Sequence, residues 1–319
     1  LLWFDSIFTM VSNRNRLLQH VFCSNYSIMY SRLTFAVPAI CALIGFHSLS
    51  ADEIRIAASD LLSKTLVEPF EAYGEKNNIT IEVDAIGSLP ALDRLRSDEI
   101  DVAIIAIPEG SEIPRSEFTV YPFAYEISVI AANESNPSNE ISLSRLGGIF
   151  GSNEEFNFTS WGDLGLPGWG SRTIKPVVGL TDESIALELF KYSVLKSGTM
   201  RSSVSVVRDE EVESVLLSDA ASIAIMSRLP ESNKLKTIMI SGASGGPAFG
   251  PTEDNVHYGD YPIRLAFYIV YHPRDEARME GLLRVLMEDE TADKLRADHF
   301  YPLPETVRRK LALDFDLKK

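Results

Sequence analysis

The chain has 319 residues, 45% of them hydrophobic and 24% charged, with 30 basic against 45 acidic side chains and a net charge of -15. That length suits about two domains of roughly 100–200 residues each, and the composition is that of a globular protein. The negative balance argues against nucleic acid or an anionic membrane surface as a partner, since both need basic patches.

The first 51 residues stand apart. They hold both cysteines, Cys23 and Cys41, and three arginines against one acid. Met29-Tyr30-Ser31-Arg32 reads as a short basic start, and Leu33 to Phe46 is an apolar run. Small residues up to Ala51 suit a signal peptidase. The run is shorter than the ~20 residues of a spanning helix. Residues 1–51 are therefore expected to be a presequence with Met29 as the true start, removed on export to the periplasm or beyond. The mature chain would lack cysteine and hence disulfides.

From there the elements alternate. Ile54 to Ala58 is a predicted strand, followed by apolar residues at helical spacing (Leu62, Leu66, Val67, Phe70), with Ser59 or Asp60 as the cap. Ile79 to Val83 alternates as a second strand, and Gly87-Ser88 leads into a helix with Leu89, Leu92 and Leu95. Asp101 to Ile107 is almost wholly apolar, as in a strand covered on both faces. The chain continues through Phe123 to Ala132 and an Asn-rich turn at Asn136-Pro137. Leu143, Leu146, Ile149 and Phe150 then share one helix face. Gly147 to Ser171 reads as loop with short helical turns.

The pattern then repeats. Strands are predicted at Ile174 to Val178, Ser203 to Val207 and Ser222 to Met226. Helices are predicted from Thr181 or Asp182 and around Val212 to Leu216. Ser241 to Gly259 is read as a Gly/Pro-rich loop and Leu265 to Tyr271 as a strand. Two helices, Met279 to Met287 and Ala292 to Ala297, close the chain. Two runs of strand–helix alternation imply an α/β protein with largely parallel sheets. Ligands of such sheets lie beyond the carboxyl ends of the strands, where helix N-termini supply free N–H groups to anions.

The stretch from Ile127 to Leu164, with its apolar run, Asn136-Pro137 turn, short helix and Trp161-Gly162-Asp163-Leu164, resembles the periplasmic phosphate-binding proteins. These are the solute receptors of phosphate ABC transporters. Gly87-Ser88, Asp101-Val102-Ala103, Asp260-Tyr261-Pro262 and Phe300-Tyr301-Pro302-Leu303 extend the resemblance in the same order. It implies a two-lobed fold of the periplasmic-binding-protein type, each lobe a mostly parallel sheet flanked by helices, with a cleft between. The lobes would be 52–127 plus 262–319, and 128–261. The implied function is binding of phosphate or a related small oxyanion for an ABC permease, by a monomer without cofactor, metal or catalytic residues. The alternative is a divergent binding or sensory protein of the same fold for another ligand or a protein partner.

The resemblance also implies the ligand loops. The first is Ser59-Asp60-Leu61. The second is Gly87-Ser88-Leu89, where the family reads GSGxG. The third contains Thr181 and Ser184, where the family has an arginine followed by SGT. Leu180 stands near the expected arginine, and Leu89 and Ala91 replace glycines. Leu89 narrows the backbone's approach to a ligand, since it adds a bulky side chain. Arg172 and Arg208 are the alternative sources of a cation, which matters because a guanidinium grips an oxyanion bidentately. His257, His272 and His299 show no metal spacing, and no nucleophile elbow, phosphate loop or dinucleotide fingerprint is present. Asp209-Glu210-Glu211 reads as the acidic start of a helix.

Overall fold

The structure is a computed structural model that describes residues 52–152, 157–166 and 168–317. The expected presequence, with Met29, Cys23, Cys41 and the apolar run 33–46, lies outside the described residues.

The first elements follow the predicted alternation: β1 (Asp52–Ala58), α1 (Asp60–Asn77), β2 (Ile79–Ala85), α2 (Ser88–Arg96) and β3 (Val102–Ile107). Every residue of β3 is buried, which accounts for its unbroken apolar run. β4 (Thr119–Ile127) and β5 (Val129–Asn133) are separated by Ser128 alone. Next come β6 (Glu140–Ser142) and α3 (Leu143–Phe150), with Ser142 capping the helix through the Arg145 N–H at 3.3 Å. Leu146, Ile149 and Phe150 bury the predicted stripe.

β7 (Lys175–Leu180), α4 (Ala186–Ser193), β8 (Ser205–Arg208), α5 (Val212–Ser218) and β9 (Ser222–Met226) form the second alternation. β10 (Leu235–Thr237), β11 (Met239–Ser241), β12 (Ala248–Phe249) and α6 (Glu253–Tyr258) follow, partly inside the stretch read as loop. β13 (Arg264–Tyr271), α7 (Glu276–Met287), α8 (Asp289–Ala297), β14 (Tyr301–Pro302) and α9 (Glu305–Leu317) complete the chain. α9 is an additional closing helix. Its buried Arg308 ties it to the main-chain oxygens of Leu303 and Met287, at 3.1 and 2.9 Å.

The described strands form a six-stranded sheet ordered β14-β4-β13-β3-β1-β2, a five-stranded sheet ordered β10-β5-β9-β7-β8, and a small sheet β12-β11-β6. Both large sheets are mixed, where the sequence predicts mostly parallel ones. β1 and β3 run parallel, as do β7, β8 and β9. β13 runs antiparallel to both β3 and β4, and β5 runs antiparallel to β9 and β10. The antiparallel strands β4, β5 and β13 flank the two points where the chain changes sheets. Periodicity alone does not encode strand direction.

At these crossings the Ser128 N–H donates to the Ile263 carbonyl at 3.1 Å, and the hydroxyl of fully buried Tyr261 donates to the Ser128 carbonyl at 2.7 Å. β4 carries Pro122, which has no N–H to donate. The register against β13 shifts between Phe267 and Tyr268, so that Ala124 and Pro122 are paired and Phe123 is the extra residue. A bulge beside a proline is how a strand accommodates the missing donor.

Candidate functional site

The loops after β1 and β2 meet at the carboxyl end of the six-stranded sheet. The Ala58 carbonyl accepts from the Ile86 and Gly87 N–H groups at 3.2 and 3.3 Å, and the Ser59 N–H donates to the Ile104 carbonyl at 2.8 Å. Ser59 is buried in the N-cap position of α1, yet its side chain makes no cap bond, contrary to the expected capping role. Burial pushes the Asp60 carboxyl up, while the Gly87 main chain pulls it back. Leu61 packs against the main core, and Leu89 is exposed.

Gly87 adopts φ +85°, a conformation other residues reach only under strain. It delivers Ser88 into a buried position, where the hydroxyl accepts from the Ala106 N–H at 2.8 Å. Ser88 therefore fastens the end of β3 to the start of α2, a role distinct from helix capping. Ser88→Ala should cost about 1–3 kcal/mol of folding stability, because it leaves the Ala106 N–H without its acceptor. Urea unfolding measures this, and an unchanged midpoint would contradict the assigned bond.

The third loop lies at the end of the five-stranded sheet. α4 begins at Ala186, later than the predicted start at Thr181 or Asp182. The intervening residues form a turn, in which the Thr181 hydroxyl accepts from the Glu183 N–H at 3.1 Å. Ser184 Oγ accepts from the Ala186 N–H at 3.0 Å and donates to Glu126 Oε1 at 2.5 Å. The Ile185 N–H donates to the same oxygen at 2.8 Å. Thus Glu126, one residue from the end of β4 in the other large sheet, places a carboxylate on the donors at the start of α4. It is 3% exposed, and its second oxygen has no hydrogen-bond partner. Burial pushes its carboxyl up to about 7, against the two hydrogen bonds, which favour the charged form.

Beside this contact is a cavity of about 120 Å³, lined among others by Gly179, Leu180, Thr181, Ser184, Ile185 and Ser227. Its wall is braced by Asp209. This residue is buried, and its carboxylate accepts from the Ser227 N–H and hydroxyl at 3.3 and 2.7 Å. It also lies 3.7 Å from Arg228 Nε. A Cβ on Gly179 would fall 2.4 Å from Asp209 Oδ1, so only glycine fits there. Asp209 is therefore more than the acidic helix start predicted for it.

Leu180, where the resemblance implies an arginine nearby, is 45% exposed. Arg172 lies over the Trp169 ring at 4.4 Å, and Arg208 is exposed and paired with Glu210 and Glu211. Neither lines the cavity. Of the predicted ligand residues, the structure thus gathers Ser59, Asp60, Gly87 and Ser88 on one sheet, and Thr181 and Ser184 on the other. Glu126 was missed, although a lone acid inside Phe123 to Ala132 was its visible signal. Among the described residues no group of three His, Cys, Asp or Glu is placed to hold a metal, and no helix is long and apolar enough to cross a membrane.

Residues 47–290 match the family model of the PBP superfamily domain. The chain belongs to the PBP superfamily. This bears out the family expected from the sequence. Among its relatives in the superfamily, the protein SphX of Synechococcus elongatus is 26% identical over 259 residues, covering 76% of this chain and 74% of that protein. The phosphate-binding protein PstS of Pseudomonas aeruginosa is 23% identical over 282 residues, covering 81% and 85%. The crystal structure of PstS from Borrelia burgdorferi shares the fold, with a TM-score of 0.66 at 18% identity, over 79% of this chain and 99% of that one. As a PBP-type protein, the chain carries its candidate loops where helices begin at the ends of strands.

Proposed function

We propose that this protein is an exported solute receptor that closes two lobes around phosphate or a closely related small oxyanion and presents it to an ABC permease. The lobes would be 52–127 plus 262–319 and 128–261, and the strand crossings at Ser128 and Ile263 support that division. The ligand residues would be drawn from Ser59, Asp60, Leu61, Gly87, Ser88 and Leu89 in the first lobe and Thr181 and Ser184 in the second. No catalytic role is assigned to any of them, and the receptor would act as a monomer.

The observation that carries the reading is the grip on Glu126. A serine hydroxyl and a main-chain N–H at the start of α4 converge on one carboxylate oxygen, which is the chemistry an oxyanion receptor needs. The similarity to PstS proteins supports phosphate as the first ligand to test. Thermal unfolding with added phosphate, sulfate or chloride provides the test. Phosphate at 100 times its dissociation constant should stabilise the fold by about 2.7 kcal/mol. An unfolding midpoint indifferent to both phosphate and sulfate would overturn the reading.

A further inference from the structure

The start of α4 has few donors, and Glu126 already holds two of them. The Ser184 hydroxyl and the Ile185 N–H both point at Glu126 Oε1, and the Ala186 N–H is taken by Ser184 Oγ. We propose that Glu126 is a built-in occupant of the oxyanion position at the start of α4, whose carboxylate must leave these donors before a ligand anion can bind them. The proposal rests on the oxyanion reading above.

Three features set this contact apart from a purely structural tie. First, only one carboxylate oxygen is held; Oε2 is buried without a partner. A buried tie is normally satisfied throughout, because an unpaired polar atom in the interior is costly. Second, the residues that hold Glu126 also line the cavity of about 120 Å³, with Gly179, Thr181 and Ser227, so a site for an incoming group adjoins the occupied donors. Third, Glu126 is anchored beside the crossing between the sheets, where the Ser128 hydroxyl is likewise buried without a partner.

Two negative groups cannot share these donors. At close range in a buried site, their repulsion adds to the loss of hydrogen bonds. The carboxylate and the ligand are therefore alternatives, and each lowers the apparent affinity of the other. Intramolecular competition of this kind weakens ligand binding by the fraction of time the donors are free.

The test is calorimetric titration of the full-length protein, and of Glu126→Ala and Glu126→Gln, with sulfate and with phosphate at pH 7.5. Glu126→Ala empties the position and should bind at least tenfold more tightly than the unaltered protein. Glu126→Gln keeps the volume without the charge and should fall between them. Thermal unfolding establishes which variants are folded; if Glu126→Ala is not, Glu126→Gln decides the comparison. Affinity equal to or below that of the unaltered protein in the folded variants would overturn the proposal and leave the oxyanion reading standing. Absence of anion binding in all three proteins would remove that reading, and the proposal with it.

Discussion

Replacing Asp209 with alanine should cost about 3–5 kcal/mol of folding stability, the scale for removing one partner of a buried charged network. The carboxylate is the acceptor for both the N–H and the hydroxyl of Ser227, and it lies against Arg228. Arg228 Nε is buried and makes no hydrogen bond; Asp209 lies 3.7 Å from it, while Arg228 Nη1 pairs with the exposed Glu231 at 3.1 Å. Alanine would leave the two Ser227 donors unmatched and remove the buried one of Arg228's two carboxylate partners. Asp209→Asn keeps the shape and loses the charge, so a smaller cost of about 1–3 kcal/mol is expected. Urea unfolding of both variants checks the order. A loss under about 1 kcal/mol in the alanine variant, set against the expected range, would show that the network is dispensable.

The second large effect depends on pH. The Glu126 carboxyl titrates at about 7 in the folded protein, against an ordinary value of 4.5. Between these values the folded state holds a proton that the unfolded state has released. The stabilisation this gives is complete below 4.5, declines as pH rises, and is gone above about 7. The upward shift corresponds to about 3 kcal/mol. Glu126→Gln lacks this titration. The stability of the unaltered protein minus that of the variant should therefore fall by about 3 kcal/mol between pH 4.5 and pH 8. Paired urea titrations across that range measure the difference. A constant difference would mean that Glu126 keeps an ordinary carboxyl, and a rising one would reverse the assigned sign.

Much of the fold was legible because burial imprints periodicity. The all-apolar Val102–Ile107 reads as a doubly covered strand and is one. Leu146, Ile149 and Phe150 read as a buried helix face and form one. Asn136 reads as a turn residue. Its side chain accepts from the Ser138 N–H at 3.0 Å and donates to the Ala220 carbonyl at 3.1 Å. Strand direction was not legible, because parallel and antiparallel strands differ in partner and not in alternation. The start of α4 was misplaced since Thr181, Asp182 and Ser184 all suit a cap, and the local bonds of Thr181 and Ser184 create a turn before the helix.

The site was less legible than the fold. The resemblance implies candidate loops but not what fills them. Ser88 bonds β3, and Ser184 bonds a glutamate 58 residues earlier in the chain. Sequence spacing cannot reveal that contact, because it forms where the start of α4 packs against β4. Asp209 was hidden in the same way: its acidic neighbours Glu210 and Glu211 are exposed, and only the strand ends around it make it a buried acceptor.

The most direct measurement is a crystal structure of the protein grown with saturating phosphate. In that structure an anion should be held between the Ser59 and Gly87-Ser88 loops and the start of α4, with Glu126 withdrawn from Ser184 and Ile185. A structure with Glu126 still on those donors and no anion at the helix starts would contradict it.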